Sequence, residues 1–111
     1  MQLKPEVKQI LLIRRLKIIL IRKAELMEKR IGTILIVVYD KFNIVKLNQI
    51  ISEFGEIIHG RQGLSLKNHT LNVISLVVEG STDEISSFTG KLGRIKGVTV
   101  KSVLAKDYHE D

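Results

Sequence analysis

The sequence predicts a small α+β domain built from two successive strand–helix–strand halves, βαββαβ. Three observations carry this. The stretch Leu71–Ser102, LNVISLVVEGSTDEISSFTGKLGRIKGVTVKS, reads as strand, capped helix and strand. The stretch from Ile31 to Leu64 repeats that pattern. Both helices space their apolar residues at i, i+3, i+7 and i+10: Ile44, Leu47, Ile51 and Phe54 in the first, Ile85, Phe88, Leu92 and Ile95 in the second. With 111 residues, 44% hydrophobic and 27% charged, the chain is globular and has room for one modest core.

Residues 1–26 differ in kind from the rest of the chain. They contain no Gly, Ser, Thr, Asn or Asp, the ordinary cap and turn residues. Pro5 suits a first helical turn. The apolar runs Ile10–Ile13 and Ile18–Ile21 are separated by Arg14, Arg15 and Lys17, which excludes a membrane span. No secretory signal is legible, so a cytoplasmic protein is expected. Lys4, Lys8, Arg15 and Arg22 share a helical face, but apolar residues occupy most of the remaining circumference. The segment therefore reads as a poorly amphipathic helix, lying on a membrane surface or a partner. The simpler reading, which is favoured, is a dispensable extension with Met27 as an alternative start. The expected organisation is a basic apolar extension over 1–26, a domain over 27–106 and a charged tail over 107–111.

Within the domain, Ile31–Tyr39 is the first strand. Asp40 or Asn43 caps the first helix, and Gly55 stops it. Glu56–Leu64 is a second strand interrupted by Gly60 and Gly63, and Ser65–His69 turns the chain. The third strand, Asn72–Glu79, ends at Gly80. Ser81 and Glu84 form a capping box for the second helix, with Gly93 and Gly97 as stop signals. Val98–Leu104 is the fourth strand. This order is the ferredoxin-like split βαβ arrangement: a four-stranded antiparallel sheet, both helices on one face, strands one and three central.

Those central strands are apolar on both sides. Ile34, Ile36 and Val38 alternate with Ile31, Thr33, Leu35 and Val37; Ile74, Leu76 and Val78 alternate with Leu71, Val73 and Val77. The helices can cover only one side. The other leaves an open apolar patch, which marks an interface. Leu35, Val37, Val73 and Val77 are the candidate interface residues of a homo-oligomer, a dimer or tetramer.

The net charge of +6 is concentrated at the start: residues 1–26 hold seven basic and two acidic side chains, so the remainder carries only +1. Any long-range attraction for nucleic acid would come from the extension. Aromatics are too few for a base-stacking platform. There is no Cys, which excludes disulfides and thiolate metal sites. His59, His69 and His109 are not spaced as ligands, and no metal or cofactor is expected. Gly90-Lys91 is not a phosphate loop, because Ile85 stands where its first glycine belongs. Gly90 inside a helix suggests close packing. Ser81, Ser86 and Ser87 have no nearby His base, so no catalytic set is legible.

Arg61 is the best candidate for ligand binding. It lies between Gly60 and Gly63, which let a ligand approach closely, and its guanidinium could hold a carboxylate or phosphate in a fork. The alternative is an edge-strand bulge with Arg61 solvated or paired to another subunit.

From Met27 to Lys106 the chain resembles the iron-only hydrogenase system regulator family. The matching segments are MEKRIG, GRQG at Gly60–Gly63, VISLVVEGSTDEI at Val73–Ile85 and TGKLGRIKGVTVKS at Thr89–Ser102. The family is similar to ACT domains and to the C-terminal domain of nickel-responsive repressors, ferredoxin-like modules that oligomerise and bind small effectors. Two departures limit what this implies. The turn Tyr39–Asn43 lacks the glycine of amino-acid-binding ACT domains. Residues 1–26 are too short for a ribbon-helix-helix, so direct DNA binding is not implied. The resemblance implies a non-enzymatic, oligomeric regulatory module with a small effector, associated with iron-only hydrogenase maturation or expression. The alternative is a nucleic-acid-binding protein acting through the extension.

Overall fold

The computed structural model describes residues 2–66 and 70–105. The elements are α1 (Pro5–Met27), β1 (Lys29–Val38), α2 (Ile44–Glu53), β2 (Ile58–Ser65), β3 (Asn72–Ser81), α3 (Thr82–Gly93) and β4 (Val98–Leu104). The sheet is antiparallel throughout, in the order β2-β3-β1-β4. The fold is ferredoxin-like, with the apolar central strands where the two-half pattern requires them. The extension is a 23-residue helix with Pro5 at its first position.

Alternation decides which side each strand residue joins. Ile34, Ile36 and Val38 of β1 and Ile74, Leu76 and Val78 of β3 are buried under the helices. Leu47, Ile50 and Ile51 of α2 and Ile85, Phe88 and Leu92 of α3 close over them. Phe54, at the end of α2, stacks on Phe88 with ring centroids 4.6 Å apart. Lys91 lies over the outer side of the Phe54 ring and pairs with Glu53 at 3.5 Å. That exposed pair adds little stability and mainly covers the stacked rings.

The capping box of α3 is present in both directions. The Glu84 amide donates to Ser81 Oγ, and the Ser81 amide donates to Glu84 Oε1, each at 3.0 Å. Hydrogen bonds to the carboxylate from the Ser81 amide and the Ser81 side chain, aided by the charge of Lys29, hold the Glu84 carboxyl below its ordinary value.

Several local expectations are corrected. β1 starts at Lys29 and ends before Tyr39, and β3 runs through Gly80 to Ser81, because Lys29 pairs with Ser81 and Arg30 with Gly80. Asp40 caps a 3-10 turn, Lys41–Asn43, by accepting from the Phe42 amide at 3.0 Å. Asn43 precedes α2 without a side-chain cap and instead donates to the Lys96 carbonyl at 3.3 Å. α2 ends at Glu53 with Phe54 as its C-cap, so Gly55 follows the stop as expected; it is not left-handed and opens a second 3-10 turn, so β2 starts at Ile58 rather than Glu56. Gly93 is the last residue of α3 and is not left-handed. Among the described residues the left-handed glycine is Gly97, at φ +82. A Cβ there would lie 2.7 Å from the Asp40 Cβ, and the Gly97 carbonyl accepts from the Tyr39 and Asp40 amides. Gly97 thus seats the start of β4 against the end of β1. Gly90 packs against nothing within 4 Å. The close-packing glycine is Gly32, where a Cβ would meet the Val103 carbonyl at 2.9 Å.

Candidate functional site

Three surfaces carry the candidate chemistry: the open side of the sheet, the corner where β2 meets α2, and the length of α1.

On the open side, the β1–β3 register sets Thr33 beside Val77, Leu35 beside Ser75 and Val37 beside Val73. Leu35 is 42% and Val77 48% exposed, and Val37 and Val73 are half-buried. Ile31, Leu64 and Val103 extend the patch across the sheet and are more than half exposed. All four expected interface residues therefore share one face. It is bordered rather than filled by charge, with Glu79 beside Ile31 and Lys101 beside Leu35. The arrangement is largely aliphatic and close to neutral, with Thr33, Ser75, Gln62 and Thr99 interspersed among the aliphatic side chains.

Arg61 lies elsewhere. Its partner across the ladder is Leu76, a residue of the covered side, so its side chain leaves β2 towards the helices. The guanidinium donates to Asn48 Oδ1 on α2 at 3.2 Å. With Oδ1 engaged, Asn48 Nδ2 is the atom that would donate to a group docking beside it. Gln49 and Ser52 continue the polar surface along α2, and Glu53 bounds a shallow depression over these residues. The corner thus combines the Arg61 guanidinium with neutral amide and hydroxyl groups and, at its margin, the Glu53 carboxylate.

The glycines beside Arg61 are less special than the sequence suggests. Neither Gly60 nor Gly63 is left-handed, and a Cβ at Gly63 would meet nothing within 4 Å. They leave room but impose no backbone strain. The irregularity of β2 lies at His59, between Ile58 and Gly60, not at Arg61. The structure brings Gly60, Arg61 and Gly63 together on the edge strand but directs the guanidinium away from the side that bears Leu35, Val37, Val73 and Val77. The Arg61 corner and the open face are separate surfaces.

Sequence reasoning missed Asn48, Gln49 and Ser52. A signal existed: Val45, Asn48, Gln49 and Ser52 recur at i, i+3, i+4 and i+7 on the outer side of α2. Nothing local could pair that stripe with Arg61, because only the sheet register brings them together. His59 is exposed on β2; His69 and His109 lie outside the described residues. Among the described residues no three His, Asp or Glu side chains converge as a metal site.

The third surface, α1, is exposed from Pro5 to Lys23. No described helix is long and apolar enough to cross a membrane.

Comparison with known proteins fits this division. The profile of the TM1266-like family, "Iron-only hydrogenase system regulator, putative", matches residues 30–102. That span holds nearly the whole sheet, both covering helices, Arg61 and the open face. The chain belongs to this family. The solved structure of the uncharacterized protein TM1266 from Thermotoga maritima is similar at 36% identity and a TM-score of 0.67. All of that protein aligns with 71% of this chain. No curated protein matches. Family membership supports a regulatory role for the ferredoxin-like body, and α1 lies outside the matched span.

Proposed function

We propose that this member of the hydrogenase-regulator family is a non-enzymatic regulatory module that pairs through its open sheet face and takes a small anionic effector at the Arg61 corner. The observation that carries the reading is the open face itself. Aliphatic residues from all four strands share one uncovered side, centred on Leu35 and Val77. Contiguous apolar surface of this kind is costly in water, and a second copy brings an equally flat, near-neutral face to cover it. Fully burying each Leu or Val side chain contributes about 1.5–3 kcal/mol.

The effector half of the reading rests on Arg61 and Asn48. An effector carboxylate or phosphate would replace the Asn48 carbonyl at the guanidinium and take a second bond from an α2 amide. Because the corner and the pairing face are separate, one subunit supplies the whole polar set, and β2, which contributes to both surfaces, links them.

A thermal-shift screen of anionic metabolites, run on wild type and Arg61→Ala, tests the effector half. The expected result is a compound that stabilises wild type and loses most of its effect on the variant. An effector that stabilises both equally would move the site off this corner. The assembly half is tested by the oligomeric state of Leu35→Lys and Val77→Lys proteins.

A further inference from the structure

The helix α1 presents a problem that neither the regulator family nor the open face resolves. Ten large aliphatic side chains between Val7 and Ile21 are 40–64% exposed, about as open as side chains on a helix can be. Interleaved with them are Lys8, Arg14, Arg15 and Lys17, and residues 1–26 as a whole carry seven basic and two acidic groups. A helix of about 35 Å that is both aliphatic and basic, with little cover from its own domain, needs a partner with both properties in complement.

We propose that α1 is a membrane-surface helix for bilayers with anionic headgroups. Lys4, Lys8, Arg15 and Arg22 recur at i, i+4, i+11 and i+18 and form one longitudinal stripe. That stripe faces the phosphates. The aliphatic sides flanking it, with Leu12, Leu16 and Ile19 on one and Leu11, Ile18 and Ile21 on the other, enter the boundary between headgroups and acyl chains. Arg14 and Lys23 project sideways, about a quarter turn from the stripe and among the aliphatic side chains, and their long stems reach upward. Lys17 starts from the opposite side and is the cation that this orientation holds least well. The same residues that prevent a transmembrane span are those that hold a helix at an anionic interface.

Two other occupants fit less well. A second copy of α1 would bury the aliphatic sides but would set the central basic residues against themselves. Parallel helices align Arg14, Arg15 and Lys17 with their equivalents. Antiparallel helices overlapping over Pro5–Met27 set Arg15 opposite Lys17. No acidic residue lies within a turn of this cluster, since Glu6 and Glu25 are near the ends. A nucleic acid would match the charge, but its phosphate surface and grooves offer little to ten exposed aliphatic side chains. An anionic bilayer takes up both features at once.

The experiment uses the full-length protein, co-sedimented with vesicles of phosphatidylcholine alone or of phosphatidylcholine with phosphatidylglycerol. Binding is expected to the mixed vesicles, to be weak on the neutral ones, and to fall as salt rises. Two variants separate the contributions: Arg14→Gln with Arg15→Gln and Lys17→Gln removes charge, and Leu12→Gln with Leu16→Gln removes apolar surface. Each should weaken binding by about tenfold or more, with circular dichroism showing the body still folded. Equal binding to both vesicle types would overturn the proposal, as would no binding to either. An unchanged apolar variant would indicate purely electrostatic capture, the behaviour expected of a nucleic-acid site, and would also overturn it. So would self-association through α1 that vesicles do not compete away. None of these outcomes depends on the pairing of the sheet.

Discussion

The two sides of the sheet share aliphatic side chains on their central strands and are opposite in circumstance. On the covered side Ile34, Ile36, Leu76 and Val78 are fully enclosed by α2 and α3. On the open side Leu35, Val37, Val73 and Val77 alternate with them along the same two strands and remain accessible. The difference lies not in the strands but in what the rest of the chain can reach, because both helices return over one face. Strands that face water on one side usually alternate apolar with polar. Here, Thr33, Ser75 and Glu79 aside, the central strands alternate aliphatic with aliphatic, so the domain carries a second, largely apolar surface that the described residues leave open. This surface, rather than any charged cluster, is the strongest pointer to what the domain does.

The sharpest way to separate the two sides is to delete bulk from each. Phe88→Ala, under the helices and stacked on Phe54, should cost about 3–5 kcal/mol in chemical denaturation. Val77→Ala should leave the stability of a dissociated subunit almost unchanged, within about 0.5 kcal/mol. Comparable losses at both positions would mean that the open side is part of the monomer's core.

A smaller effect distinguishes the ligand corner from either side. Arg61→Ala should weaken an anionic effector by about 1.5–3 kcal/mol while leaving folding intact, since an exposed hydrogen bond to Asn48 contributes little. Gly63→Val should be mild for the fold, because the space beside Gly63 is open and its backbone is not left-handed. Isothermal titration with a screened effector, beside thermal melts, checks both.

Smaller still is the contribution of the α3 cap, which supports only the covered side. Ser81→Ala should cost about 0.5–2 kcal/mol in a thermal melt. The Glu84 carboxyl is held below its ordinary value in the folded state. Its contribution is therefore present above the unfolded-state value and is lost as pH falls through the lower folded-state value. Glu84→Gln should flatten that acid limb and change little at neutral pH. An acid limb of unchanged slope would assign the lowered value no role in stability.

The strands and helices were legible because their periodicities differ and the two halves repeat. The ferredoxin-like topology then follows from element order alone. The open face was legible too, since strands apolar on both sides cannot both be covered by helices that return to one face. The special glycines were legible only in part. Gly97 was marked as a stop signal and is left-handed. Gly60, Gly63 and Gly90 attract notice by their neighbours, yet Gly32 is the other position where a side chain would collide. That depends on how closely β1 approaches β4, a tertiary fact with no local trace. The Arg61–Asn48 contact is hidden for the same reason. Thirteen positions separate the two residues, and only the register of β2 decides to which side Arg61 turns.

The pairing of the open face is tested most directly by sedimentation equilibrium of wild type, Leu35→Lys and Val77→Lys across a range of concentrations. An ammonium in an apolar contact between subunits must be desolvated, at a cost of several kcal/mol. Wild type is expected to be oligomeric, and the variants to sediment as monomers with native circular dichroism. A wild type that is monomeric throughout, or variants that assemble as wild type does, would contradict the pairing.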